Sequence, residues 1–187
     1  MKPICCGDRE DARLLLAAGC DGLSIDEINP VWLKTPAAPF TAAEIENYKF
    51  KPEIFLDAFR LLAEKVDDVF VEGVGGWRVP IAADFYVSDL AVALGLPVLV
   101  VAQNRLGCLN HAFLTVESVR QTGLTCAGVV LNEPIGQSDI AMATNRDVLQ
   151  RLCGVPVLTG LEDKVCILES DWRAVLAAGE SGGLFTS

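Results

Sequence analysis

Three stretches of this sequence place chemistry-bearing residues beside pliable backbone. The first is Glu72-Gly73-Val74-Gly75-Gly76, directly behind the apolar run Val69-Phe70-Val71. A strand there sets a carboxylate and a flexible loop at its carboxyl end, the edge at which open α/β sheets bind ligands. Glycines let the backbone approach a ligand closely, and the Glu72 carboxylate suits Mg²⁺ held on phosphate oxygens. The plainer reading of the same residues is a tight turn with a solvated glutamate. The second stretch, Leu106-Gly107-Cys108-Leu109-Asn110-His111, lies between an expected strand and an expected helix. Backbone N–H groups and the positive dipole end at such a junction receive anions, and a substrate carboxylate would suit them. As structure alone it is a βα turn with Asn110 helping to cap the helix. The third stretch holds Lys2, Cys6 and Asp11, the last opening a helix beside Asp8. Taken singly these read as a solvated lysine, a packed thiol and ordinary helix-start electrostatics. His111, the only histidine, has no Ser or Cys nucleophile at a recognisable spacing and reads as structural.

The elements that must position these residues follow from the apolar pattern. From Asp67 onward, apolar runs at 69–71, 97–102, 128–131 and 155–158 read as buried strands. Helical patterns cover 52–66, 88–94, 109–122 and 138–152, and a last helix is expected over 171–178. This alternation predicts a mainly parallel sheet with helices on both faces. The first fifty residues differ: a helix over 8–18 is followed by Asn29-Pro30 and Pro36-Ala37-Ala38-Pro39, which read as an irregular excursion near a site.

With 187 residues, the chain suits one domain spanning 1–187. No run approaches the ~18 consecutive apolar residues of a membrane span, and the opening residues form no secretory apolar core. A cytoplasmic protein is expected. The formal net charge of −10 argues against nucleic acid and anionic membranes as partners, since both are bound through clustered Lys and Arg. Seven cysteines form no CxxC pair and no zinc spacing with the single histidine, so they read as reduced, mostly packed thiols.

Taken together and in order, several segments resemble the ATP-dependent dethiobiotin synthetases across most of the chain. They are Lys2-Pro3-Ile4-Cys5-Cys6-Gly7, Asp11, Asn29-Pro30, Val71-Glu72-Gly73-Val74-Gly75-Gly76-Trp77, Ser88-Asp89-Leu90, Leu96-Pro97-Val98-Leu99-Val100, 106–111, 128–132 and Pro156-Val157-Leu158. The resemblance implies a three-layer α/β fold of the P-loop NTPase type. It also implies carboxylation of 7,8-diaminononanoate with CO₂, phosphorylation of the carbamate with MgATP, and closure of the ureido ring. By the same resemblance Lys2 stabilises charge on the carbamate and the transferring phosphoryl group. Asp11 and Glu72 hold Mg²⁺, and Glu72, Gly73, Val74 and Gly75 line the nucleotide site. Cys6 stands where the family has a substrate-binding serine. Gly107, Cys108, Leu109 and Asn110 receive the substrate carboxylate across a homodimer interface. Asn132 and Glu133 contact the adenine, joined by Leu161, Glu162 and Asp163 where the family's Gly-x-Ile-Pro has become Thr159-Gly160-Leu161-Glu162.

The family opens with a strand, a GxxxxGK[ST] loop and a helix, ahead of the Lys-Pro segment. These 187 residues contain no Gly-Lys-Ser or Gly-Lys-Thr. The expectation is a chain lacking the first βα unit, with a sheet strand left unpaired, weak ATP binding and negligible turnover by itself. A non-catalytic relative that binds substrate or a partner subunit is the alternative. Another P-loop-like amidoligase or partition ATPase is a third reading.

Overall fold

Strands joined by helices return in the same direction, so the apolar runs of this chain must pair in parallel. The computed structural model describes residues 1–133 and 139–159 and divides into two compact units, Met1–Leu94 and Gly95–Ser187. Its sheets are mainly parallel with helices between the strands, an α/β fold. Among the described residues no helix is long and apolar enough to cross a membrane.

In the first unit, β1 (Ile4–Cys6) pairs in parallel with β2 (Val31–Leu33), Ile4 opposite Val31 and Cys6 opposite Leu33. Between them run α1 (Glu10–Ala18) and α2 (Ile25–Ile28). The short α2 is held by a capping box: the Ser24 hydroxyl accepts from Glu27 N, and the Glu27 carboxylate accepts from Ser24 N at 2.7 Å. Then come α3 (Pro39–Ile45), with proline in its first turn, and α4 (Glu53–Ala63). The antiparallel pair β3 (Pro80–Ala82) and β4 (Phe85–Tyr86) leads into α5 (Val87–Leu94). The core gathers Ile4, Val31, Leu33, Phe55, Ile81 and Leu90. The Phe50 ring tilts against Phe55 at 5.1 Å and Phe85 at 5.4 Å, within the range of favourable aromatic pairing.

The second unit holds β5 (Val98–Gln103), α6 (Cys108–Gln121), β6 (Cys126–Asn132), α7 (Ile140–Leu152) and β7 (Val157–Thr159). Its sheet has the order β5-β6-β7, all parallel. The central β6 is buried from Cys126 to Leu131, which explains its unbroken run of small and apolar residues. Gln103 lies opposite Asn132, so β5 and β6 end level and offer one edge. Asp139 caps α7, its carboxylate accepting from Met142 N at 2.7 Å.

One expectation is overturned and another holds in part. Residues 69–71 are not a strand. Met1 N donates to Phe70 O at 2.6 Å and Glu72 N donates to Met1 O at 2.9 Å, a parallel pattern too short to form a ladder. Residues 29–39 are irregular only in part: 29–30 and 34–38 lie outside helix and strand, but 31–33 form β2 and Pro39 opens α3. Three-residue strands and a proline at a helix start both look like turn signals in sequence. The helix expected over 171–178 lies outside the described residues.

Phe55 is fully buried among these apolar groups. Replacing it with alanine removes a large buried ring and leaves a cavity, so Phe55→Ala should cost about 3–5 kcal/mol in urea unfolding. A loss under ~1 kcal/mol would contradict this packing.

Candidate functional site

A lysine ammonium leaves water only where anions replace its hydration. Lys2 is 4% exposed, and its Nζ meets Asp11 Oδ2 at 2.8 Å and Glu72 Oε1 at 2.7 Å. Burial pulls the ammonium down, but the hydrogen bonds and charges of Asp11 and Glu72 outweigh it and hold the pKa above the usual lysine value. Lys2 is therefore charged at neutral pH, with two half-exposed carboxylates against it.

The backbone of Lys2 is fixed from a different direction. Lys2 N donates to Ile28 O at 2.7 Å, and the buried Asn29 side chain donates to Lys2 O at 2.8 Å and Val31 O at 3.0 Å. Arg9 holds Asn29 in turn, its Nε donating to Asn29 Oδ1 at 2.8 Å while its guanidinium lies 5.2 Å from the Trp32 ring centroid. Asp11 does not engage Asp8, which instead accepts from Glu10 N at 3.0 Å; Asp11 sits in the first turn of α1 and turns its carboxylate to Lys2.

Glu72 opens the loop that carries Gly73, Val74 and Gly75. Gly75 has φ +65°, and a Cβ there would meet Val79 Cγ2 at 2.9 Å, so glycine is required. Val74 packs onto the apolar core. The loop's far end is tied down where Ser88 N donates to Trp77 O at 3.0 Å. Cys6, at the end of β1, is half-buried. Burial, followed by the neighbouring Cys5 and Glu46, pushes its thiol up to about 11.

In the second unit, Gly107 takes a left-handed φ of 93° and starts α6. Cys108 is buried, Leu109 half-buried, and Gly107 and Asn110 exposed. The N-cap is Gly107 and Asn110 lies inside the first turn, so Asn110 does not cap the helix. Cys108 N donates to Arg105 O at 3.1 Å. A cavity of about 210 Å³ beside this turn is lined by residues including Arg105, Cys108, His111 and Thr115. At the end of β6, Asn132 is exposed and Glu133 half-buried, its Oε1 accepting from Asn104 Nδ2 at 3.1 Å. Leu161, Glu162 and Asp163 lie outside the described residues.

The first unit thus brings Lys2, Asp11 and Glu72 together, and the second sets 107–110 and 132–133 at one sheet edge. A family profile described as an AAA domain matches residues 1–165. The ATP-dependent dethiobiotin synthetase BioD of Akkermansia muciniphila is 44% identical over 157 residues, covering 84% of this chain and 74% of that protein. The chain belongs to the ATP-dependent dethiobiotin synthetase family. Synthetases of the same name from Aromatoleum aromaticum and Bacillus subtilis are 41% and 38% identical, with 73% and 64% of their lengths covered.

Within this family member, sequence reading did not single out Asn29 and Arg9 as the residues that fix Lys2. The available signal was an asparagine placed before a proline in an otherwise apolar stretch. Asn104 and Asn145 were also missed, because a polar residue after a strand or within a helix carries no periodic signature.

The raised thiol at Cys6 has a chemical consequence. Alkylation needs the thiolate, so Cys6 should react slowly with iodoacetamide at pH 7–9 and accelerate as pH rises toward about 11. Exposed Cys20 serves as the internal comparison in the same digest. Rapid labelling of Cys6 at pH 7 would contradict the assignment.

Proposed function

We propose that this chain takes part in biotin biosynthesis as an ATP- and Mg²⁺-dependent ligase closing the ureido ring of dethiobiotin. The observation that carries the reading is the buried Lys2 ammonium held by Asp11 and Glu72, in a chain whose relatives are named for that reaction. An amine of 7,8-diaminononanoate adds to CO₂ and loses a proton, giving a carbamate. The γ-phosphoryl group of ATP passes to the carbamate oxygen, releasing ADP. The second amine then attacks the activated carbon and expels phosphate. Lys2 is a fixed cation for the negative charge of the carbamate and of the phosphoryl group in flight.

Asp11 and Glu72 fit a magnesium ion. They are hard oxygen donors converging on one cation, and Mg²⁺ is commonly held by one or two carboxylates together with phosphate oxygens. Bound there, the ion would neutralise charge on the nucleotide phosphates. Glu72, Gly73, Val74 and Gly75 approach the nucleotide through backbone. Cys6 offers the substrate a neutral thiol, a weaker partner than a hydroxyl. Gly107, Cys108, Leu109 and Asn110 take the substrate carboxylate, Asn132 and Glu133 the adenine, and Leu161, Glu162 and Asp163 further nucleotide contacts. A cytoplasmic homodimer belongs to the same proposal.

The 187 residues contain no GxxxxGK[ST] loop to cradle phosphates. By themselves they should form dethiobiotin more than about a hundred-fold slower than a fusion carrying a strand, that loop and a helix ahead of Met1, as judged by the loss seen when one transition-state donor is removed. Lys2→Ala in the fusion should abolish the gain. Mass-spectrometric detection of dethiobiotin from diaminononanoate, bicarbonate and MgATP reads both outcomes. Equal turnover with and without the loop, or full activity of Lys2→Ala, would refute the proposal.

A further inference from the structure

Buried side-chain amides are costly unless their donors and acceptors are used, and among its described residues the second unit buries Asn104 and Asn145. Asn104, fully buried, follows β5 directly, and Asn145, 3% exposed, lies on α7. Asn145 Nδ2 donates to Asn104 Oδ1 at 2.9 Å and to Arg105 O at 3.2 Å. Asn104 Nδ2 donates to Glu133 Oε1 and to Met142 O, each at 3.1 Å. Asn104 N donates to Asn132 O at 2.8 Å.

Two of these bonds reach the carboxyl end of β6, Asn104 N to Asn132 O and Asn104 Nδ2 to Glu133 Oε1. The parallel ladder from Val98 to Gln103 already holds β5 to β6, so the amide pair is not needed to join the strands. What it adds is a donor for the Glu133 carboxylate and a fixed place for Asn104, whose backbone N–H holds the Asn132 carbonyl, while the Asn132 residue stays exposed. Connected amides in a low-dielectric interior strengthen one another and allow one arrangement.

We propose that Asn104 and Asn145 are positioning residues for base recognition. They set the edge formed by Asn132 and Glu133 in the one geometry that accepts adenine. This rests on the reading of Asn132 and Glu133 as the base contacts. Asn145 touches neither of them directly and acts through Asn104.

Adenosine is a suitable probe, because it carries no phosphate and needs no phosphate loop. In backbone-amide NMR titrations of the full 187-residue chain, adenosine should perturb Asn132 and Glu133 and bind more tightly than guanosine. Asn145→Ala keeps helix propensity and should weaken adenosine about five-fold, the net effect of one neutral hydrogen bond, and narrow the preference over guanosine. Leu149→Ala removes a fully buried apolar group from the same helix. It should lower Tm while leaving adenosine affinity and preference unchanged, which separates positioning from stability. Asn145→Ser retains a hydroxyl donor toward Asn104 and should give an intermediate loss; it replaces the alanine variant if that chain does not fold. A lowered Tm in Asn145→Ala or Asn145→Ser with adenosine affinity and preference unchanged would overturn the inference. Unchanged adenosine binding in Asn132→Ala would instead overturn the reading of the base edge, and the inference with it.

Discussion

The first unit is organised around a buried cation. Lys2 gives up water for two carboxylates and is held in place through its backbone by Ile28 and Asn29. Removing an ionised group from water costs several kcal/mol unless partners replace the solvent, so everything that sets the Lys2 ammonium must hold at once. The parallel pairing of β1 with β2 brings Asn29 to the Lys2 carbonyl, α1 delivers Asp11, and residues 70–72 lie against Met1 to deliver Glu72. Gly75 lets the chain turn away behind Glu72 without meeting Val79. A cation in this setting is pre-oriented for anionic chemistry and needs little rearrangement as negative charge develops.

The second unit solves a different problem, that of holding two loops level at the end of a sheet. The register that places Gln103 opposite Asn132 makes β5 and β6 finish together. Beyond that point there is no ladder, and side-chain amides take over. Asn145 gives the backbone past β5 a hydrogen bond at Arg105 O, and Asn104 ties the same turn to α7 through Met142 O. Such a network is worth having in a buried place only when complete, and among the described residues no buried side-chain nitrogen or oxygen lacks a partner.

Much of the α/β fold was legible in sequence, and for a physical reason. The strands β5 and β6 and the helices α6 and α7 are long enough for apolar periodicity to emerge, and their ends fell within a few residues of those expected. β1 and β2 were not legible, since three residues cannot establish a period and Cys5 and Cys6 resemble packed thiols anywhere. Segment 69–71 was read as a strand because its composition is right. Composition says nothing of what lies alongside, and Met1 pairs with this segment through two backbone hydrogen bonds without forming a strand. Lys2 looked solvated because the groups that bury it, Asp11 and Glu72, are distant in sequence. Family resemblance connected those three residues before geometry did. The amides of Asn104 and Asn145 gave no sign in either way, because their importance lies in burial.

In the proposed reaction Lys2 stabilises a carbamate that forms before any use of ATP. ¹³C NMR of the 187-residue chain with diaminononanoate and ¹³C-bicarbonate, without nucleotide, tests it most directly. A protein-bound carbamate resonance should appear and should be lost in Lys2→Met. No bound carbamate in the unaltered, folded chain, or one equally intense in Lys2→Met, would contradict it.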